Sequence, residues 1–179
     1  MLYPENLKEI YWREFLIFKY RNTNTYLIAA AWRGKEIKPC IDSFLNNAAG
    51  NDKRYKLIND NGKKVLLGYG GAADLLVYIG HNGLMDFKAK PVKQNMRAKA
   101  TMLFGCKSKP YFKPILDNLG ANQLLHTTGF MAPEAYAVNA AVKAWINGKG
   151  KRDISNEAAK SYSKYQKCSL TAARRLFDY

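Results

Sequence analysis

Residues 75–83 read LLVYIGHNG, and residues 100–106 read ATMLFGC. Each segment opens as an apolar run without polar alternation. A strand covered on both faces has that pattern, because neither of its sides meets water. Each run then breaks at a glycine, and the next residue can do chemistry: His81 follows Gly80, and Cys106 follows Gly105. In an open parallel sheet, ligands bind beyond the carboxyl ends of the strands. His81 and Cys106 are 25 residues apart, and a parallel crossover needs about a dozen or more. The two runs therefore predict neighbouring parallel strands that deliver both side chains to one sheet edge.

Working outward, Gln123–Thr127 (QLLHT) and Thr25–Ala31 (TYLIAAA) read as two further buried strands. Helical spacing of apolar residues predicts helices over Glu36–Ala48, Pro110–Leu119 and Pro133–Ile146, with Gly50, Gly120 and Gly148 as stops. A helix over Ser155–Lys167 would take Ser155 as its cap. Tyr55–Ile58 and Lys64–Leu67 flank Asn61-Gly62, a hairpin signal. Residues 4–20 mix apolar and charged side chains like an amphipathic helix, and residues 82–99 are polar and irregular with a short helix near Val92–Lys99. Strands alternating with helices predict an α/β fold with a mostly parallel sheet covered on both faces. One domain spans 1–179, with an N-terminal helix within 1–24 and a basic helical tail over 150–179.

Composition narrows the class. With 47% hydrophobic and 13% aromatic residues, the chain is not disordered over most of its 179 residues. No apolar run approaches the roughly 20 residues that cross a bilayer. Three widely spaced cysteines make a poor disulfide framework, and two histidines a poor metal site. No metal and no organic cofactor is implied. A reducing compartment, the cytoplasm, fits best, although a trimmed export signal is compatible with the same sequence. The net charge of +15 suits a solvated basic surface, an acidic substrate or nucleic acid. The lysines are densest at Lys88, Lys90, Lys93, Arg97 and Lys99, then Lys107, Lys109 and Lys113, and no zinc-finger or RNP-type motif accompanies them. Gly68–Gly71 (GYGG) lacks the Lys-Ser/Thr of a phosphate loop.

A cysteine beside an imidazole can be held as thiolate, the form that attacks a carbonyl. The imidazole can then protonate the leaving amine. An amide N–H from the glycine-flanked turn around His81, with that of Cys106, would stabilise a developing oxyanion. Asp86 is placed to orient His81, and Asp86, His126 and Thr128 would stand at the pocket rim. Cys40, on a helix, and Cys168, in the tail, read as structural.

In this order, an apolar strand ending at a histidine loop and a second ending in Gly-Cys resemble the caspase-like cysteine peptidases. That group includes caspases, metacaspases, legumain, gingipains, separase and bacterial CHAT domains. The resemblance is best over residues 25–145. It implies the caspase-like three-layer α/β/α arrangement, with His81 as general acid/base, Cys106 as nucleophile and Gly83 as an oxyanion-loop glycine. The family usually has glycine directly after the histidine. Here Asn82 intervenes, so the donor is Asn82 or Gly83. The implied activity is a cysteine-dependent hydrolase, an endopeptidase acting on a peptide or protein substrate, an acidic one suiting the charge. The alternatives are a non-catalytic caspase-like binding module and a basic nucleic-acid-binding protein.

Overall fold

The computed structural model describes residues 7–10, 13–94 and 98–179. Its first elements are strands: β1 (Leu7–Ile10), β2 (Arg13–Lys19) and β3 (Tyr26–Trp32) form an antiparallel sheet in that order. The helix expected over residues 4–20 is therefore corrected where the structure describes that stretch, and positions 4–6, 11 and 12 lie outside the described residues. The segment Phe15–Phe18 is wholly aromatic, leucine or β-branched, a composition that favours strands. β2 finds a full-length partner in β3, with Phe15 opposite Ala30 and Lys19 opposite Tyr26. The turn between them places Asn22 at φ 59°, a left-handed conformation that asparagine tolerates. The expected strand over 25–31 is present as Tyr26–Trp32, yet it is antiparallel and none of its residues is fully buried, rather than a buried parallel one.

α1 (Ile37–Ala48) buries Ile41, Phe44, Leu45 and Ala48, one helical face, and ends before Gly50 at φ 81°. β4 (Lys53–Asp60) and β5 (Lys63–Gly70) form a two-stranded antiparallel hairpin. Asn61 and Gly62 turn it, both at positive φ, as a two-residue loop that matches strand twist requires. After the hairpin the backbone presses against the end of α1. A Cβ on Gly71 would lie 1.6 Å from the Asn51 carbonyl oxygen, so only glycine fits there.

The remaining strands make the central sheet, in the order β6 (Leu75–Ile79), β7 (Ala100–Phe104), β8 (Asn122–Thr127), β9 (Phe177–Asp178). β6, β7 and β8 are parallel, and β9 returns antiparallel to β8. α2 (Ser108–Asn118) connects β7 to β8, and α3 (Ala135–Ile146), α4 (Lys151–Gln166) and α5 (Leu170–Leu176) follow β8. Side chains of β7 alternate between two buried clusters. Leu103 joins Tyr78, α1 and α2 on one face. Met102 and Phe104 join Leu125, α3, α4 and α5 on the other. Fully burying a large apolar side chain of this kind contributes about 1.5–3 kcal/mol. The sheet is therefore mixed, with helices packed on both faces.

Two expectations change here. The segment joining β6 to β7 holds no helix at 92–94 or 98–99, and 95–97 lie outside the described residues. It covers the α1–α2 side instead with Leu84, Phe87, Ala89 and Val92. Residues 150–179, expected as a basic helical tail, carry helices α4 and α5 and also supply core residues: Ile154, Ala158, Ala159, Tyr162, Ala173 and Phe177. Ser155 is no cap. It sits in the second turn of α4, buried, and donates its hydroxyl to the Phe177 carbonyl at 3.0 Å.

Candidate active site

The site is built where β6 and β7 end together. Ile79 lies opposite Phe104, and the Gly80 N–H extends the ladder to the Phe104 carbonyl at 3.0 Å. The two chains then approach closely. A Cβ on Gly105 would come within 2.8 Å of the Gly80 carbonyl oxygen. His81 and Cys106 therefore follow the carboxyl ends of adjacent parallel strands, each two residues beyond the last sheet pair.

His81 is exposed, and its Nε2 is 2.7 Å from Asp86 Oδ2. A single 3-10 turn over Gly83–Met85 brings Asp86 back to it. The buried phenol of Tyr78 donates to the His81 carbonyl, and burial pushes that phenol well above its ordinary range. The backbone of His81 is thereby anchored while its ring stays accessible.

Asn82 is fully buried. Its side-chain amide donates to the Cys106 carbonyl at 2.8 Å and to the Lys107 carbonyl at 3.4 Å. Its Oδ1 accepts from the Leu84 N–H at 3.2 Å and so caps the 3-10 turn. One side chain thus fastens the histidine loop to the cysteine loop. Gly83 serves packing. A Cβ there would lie 2.6 Å from the Phe87 ring, and its N–H is already given to the His81 carbonyl at 3.1 Å. The backbone N–H groups of Asn82 and Cys106 have no acceptor among the described residues.

Cys106 is half-buried, and its thiol points to the Met131 carbonyl at 3.5 Å. No hydrogen bond joins it to His81 among the described residues. Lys107, at φ 48°, turns the chain sharply into α2 and gives its N–H to the Gly129 carbonyl at 2.8 Å. Beneath the turn lies a buried network: the Ser108 and Thr127 hydroxyls are 2.9 Å apart, Ser108 Oγ accepts from the Thr127 N–H at 2.8 Å, and the Thr127 hydroxyl donates to the Gly105 carbonyl. Sequence reasoning passed over Ser108 and took Thr127 only as a strand end at the pocket rim. Their signal was a hydroxyl residue directly at a strand end and another at a helix start. Phe130 is 68% exposed beside the cysteine loop, with the Lys107 ammonium 4.4 Å from its ring centroid.

Of the expected rim residues, His126 is withdrawn into the core and Thr128 is bonded to the end of α5. His126 is fully buried within β8, opposite Asp178 of β9. Its Nε2 donates to Gln123 Oε1 at 2.6 Å, because the Gln123 amide nitrogen is committed to Asp117 at 2.6 Å. Its Nδ1 has no partner among the described residues. Burial, aided by Lys109 and Lys113, pulls its pKa down to about 4. Thr128 is exposed, but its hydroxyl donates to the Arg175 carbonyl at 2.7 Å, and its N–H to that of Leu176 at 2.9 Å, so it ties down the end of α5. Cys40 and Cys168 are half-buried on the fringes of the two core clusters.

A cleft of about 410 Å³ lies away from this edge, between α1, β4 and residues 90–92, and includes Trp32, Pro39 and Arg54. Among the described residues, no three His, Cys, Asp or Glu side chains gather as a metal site, and no helix is long and apolar enough to cross a membrane. No protein-family model, curated protein or solved structure matches the chain.

Proposed function

We propose that the chain is a cysteine-dependent hydrolase, an endopeptidase of the caspase-like kind, with Cys106 as nucleophile and His81 as general acid/base. The observation that carries the reading is the shared register of β6 and β7, which ends both strands at one edge with His81 and Cys106 equally far beyond it. Helices on both faces of a sheet with three parallel strands support the caspase-like three-layer α/β/α arrangement.

In this reading the Cys106 thiolate attacks the peptide carbonyl carbon. The oxyanion forms beside the two uncommitted N–H groups, those of Asn82 and Cys106. Asn82 therefore takes the donor role, and Gly83 only shapes the loop. His81, held by Asp86, protonates the leaving amine as the C–N bond breaks and a thioester remains. Water then attacks the thioester carbon, gives a proton to His81, and releases the carboxylic acid and the Cys106 thiolate. A direct His81–Cys106 hydrogen bond is not required for these steps, because the imidazole acts on the leaving group. The basic chain suits a peptide or protein substrate with acidic character. Free cysteines agree with a reducing, cytoplasmic setting.

A diverse peptide library incubated with the parent chain and with Cys106→Ala tests this reading. Cleavage by the parent alone supports it. Equal cleavage by both, or by neither, removes the proposed nucleophile. The charge of +15 favours one second reading, nucleic-acid binding, for which strongly salt-dependent DNA or RNA affinity would speak.

A further inference from the structure

We propose that the outer face of the β4–β5 hairpin is a docking surface for an anionic membrane surface. Antiparallel pairing puts Leu57 opposite Leu66 and Tyr55 opposite Gly68, all on one face. That face looks into solvent: Tyr55 is 60% exposed, Leu57 56% and Leu66 63%. The opposite face carries Ile58 and Val65 inward, so the hairpin is already anchored without these three side chains. An exposed cluster of large apolar residues marks an interaction site.

Charge chooses the occupant. Exposed Lys53 and Lys64 lie at the two ends of the same face, and Asn59 is its one other polar side chain. No acidic residue shares it. Asp60 points to the other side, where it binds Lys19 and Tyr26 of β2 and β3. Leucines and a tyrosine framed by lysines suit the boundary between lipid headgroups and acyl chains, where apolar atoms enter and ammonium groups meet anionic lipid. A second copy of the chain would bring another +15 charge to the face. Nucleic acid would engage the lysines and leave the leucines unused.

The test is co-sedimentation of the full chain with vesicles of phosphatidylcholine alone or mixed with phosphatidylserine. Variants are Leu57→Ser/Leu66→Ser, Lys53→Gln/Lys64→Gln and, as a control, Phe18→Ser. Phe18 lies beside Lys19 on the strand, so its side chain points away from the hairpin. The expected result is partitioning onto phosphatidylserine vesicles only, about tenfold weaker in each hairpin variant and unchanged in Phe18→Ser. The lysine variant changes only exposed side chains, so it decides the matter even if the leucine variant misfolds. Absence of phosphatidylserine-dependent binding overturns the proposal. So does binding that the lysine variant leaves intact, or a parent dimer that the leucine variant dissolves.

Discussion

An asparagine stands between His81 and Gly83, and its side chain accounts for the local geometry. Asn82 makes three hydrogen bonds in a fully buried position, two of them to the cysteine loop. Truncating it would orphan the Cys106 carbonyl and uncap the 3-10 turn. Asn82→Ala should cost about 1–3 kcal/mol of stability, measured by chemical denaturation, and should lower the rate of any Cys106-dependent cleavage as the two loops separate. A variant as stable and active as the parent would show that the bonds do not hold the site. His126 supplies a second expectation at this scale. Its pKa falls from 6.5 unfolded to about 4 folded, so the fold favours the neutral ring. The contribution is complete above pH 6.5 and is lost as pH falls towards 4, amounting to about 3 kcal/mol once the ring is protonated in both states. Asp117 and Asp178 are held below their ordinary 3.8, and their contributions disappear only at still lower pH. Urea midpoints between pH 7 and 4 should therefore drop in the parent and stay flatter in His126→Gln. Parallel slopes would assign the acid sensitivity elsewhere.

Among elements, β6, β7, β8, α1, α2, α3 and the Asn-Gly hairpin were legible because each is decided locally, by an apolar run, a helical spacing or a turn pair. The N-terminal strands were not. The segment around Phe15–Phe18 can satisfy either periodicity, and the choice was made by β3, which pairs with it along its whole length. The last strand went unpredicted for the same reason. β9 is two residues long and exists only through pairing with β8, yet it buries His126 and removes it from the rim. The positions of His81 and Cys106 followed from strand ends, whereas the binding role of the Asn82 side chain needed the three-dimensional loop. The integration of α4, α5 and β9 is open to direct measurement. Phe177 is 3% exposed and packs against Phe104 and Tyr162. Phe177→Ala should lose about 3–5 kcal/mol of unfolding free energy. An appended tail would tolerate the change with no measurable loss.

At the scale of the whole molecule, the mixed sheet divides the labour. One buried cluster carries α1, α2 and the segment after β6, and the other carries α3, α4 and α5. The strand ends between them form the edge where the proposed chemistry takes place. The antiparallel sheet and the hairpin at the N-terminal side contribute no residue to that edge and present the apolar, lysine-framed face instead. A vesicle-binding variant on the hairpin should therefore leave peptide turnover unchanged. The central claim, that His81 and Cys106 act as one unit, is tested most directly by turnover of a cleaved peptide. The comparison uses the parent chain, His81→Ala, Cys106→Ala and the double variant, each first shown to be folded, with Cys40→Ser as control. Residues that serve one reaction lose rate non-additively. The account expects Cys40→Ser to match the parent, and either site variant alone to lose nearly as much rate as the double variant. A folded Cys106→Ala protein that turns over the peptide at the parental rate would contradict it.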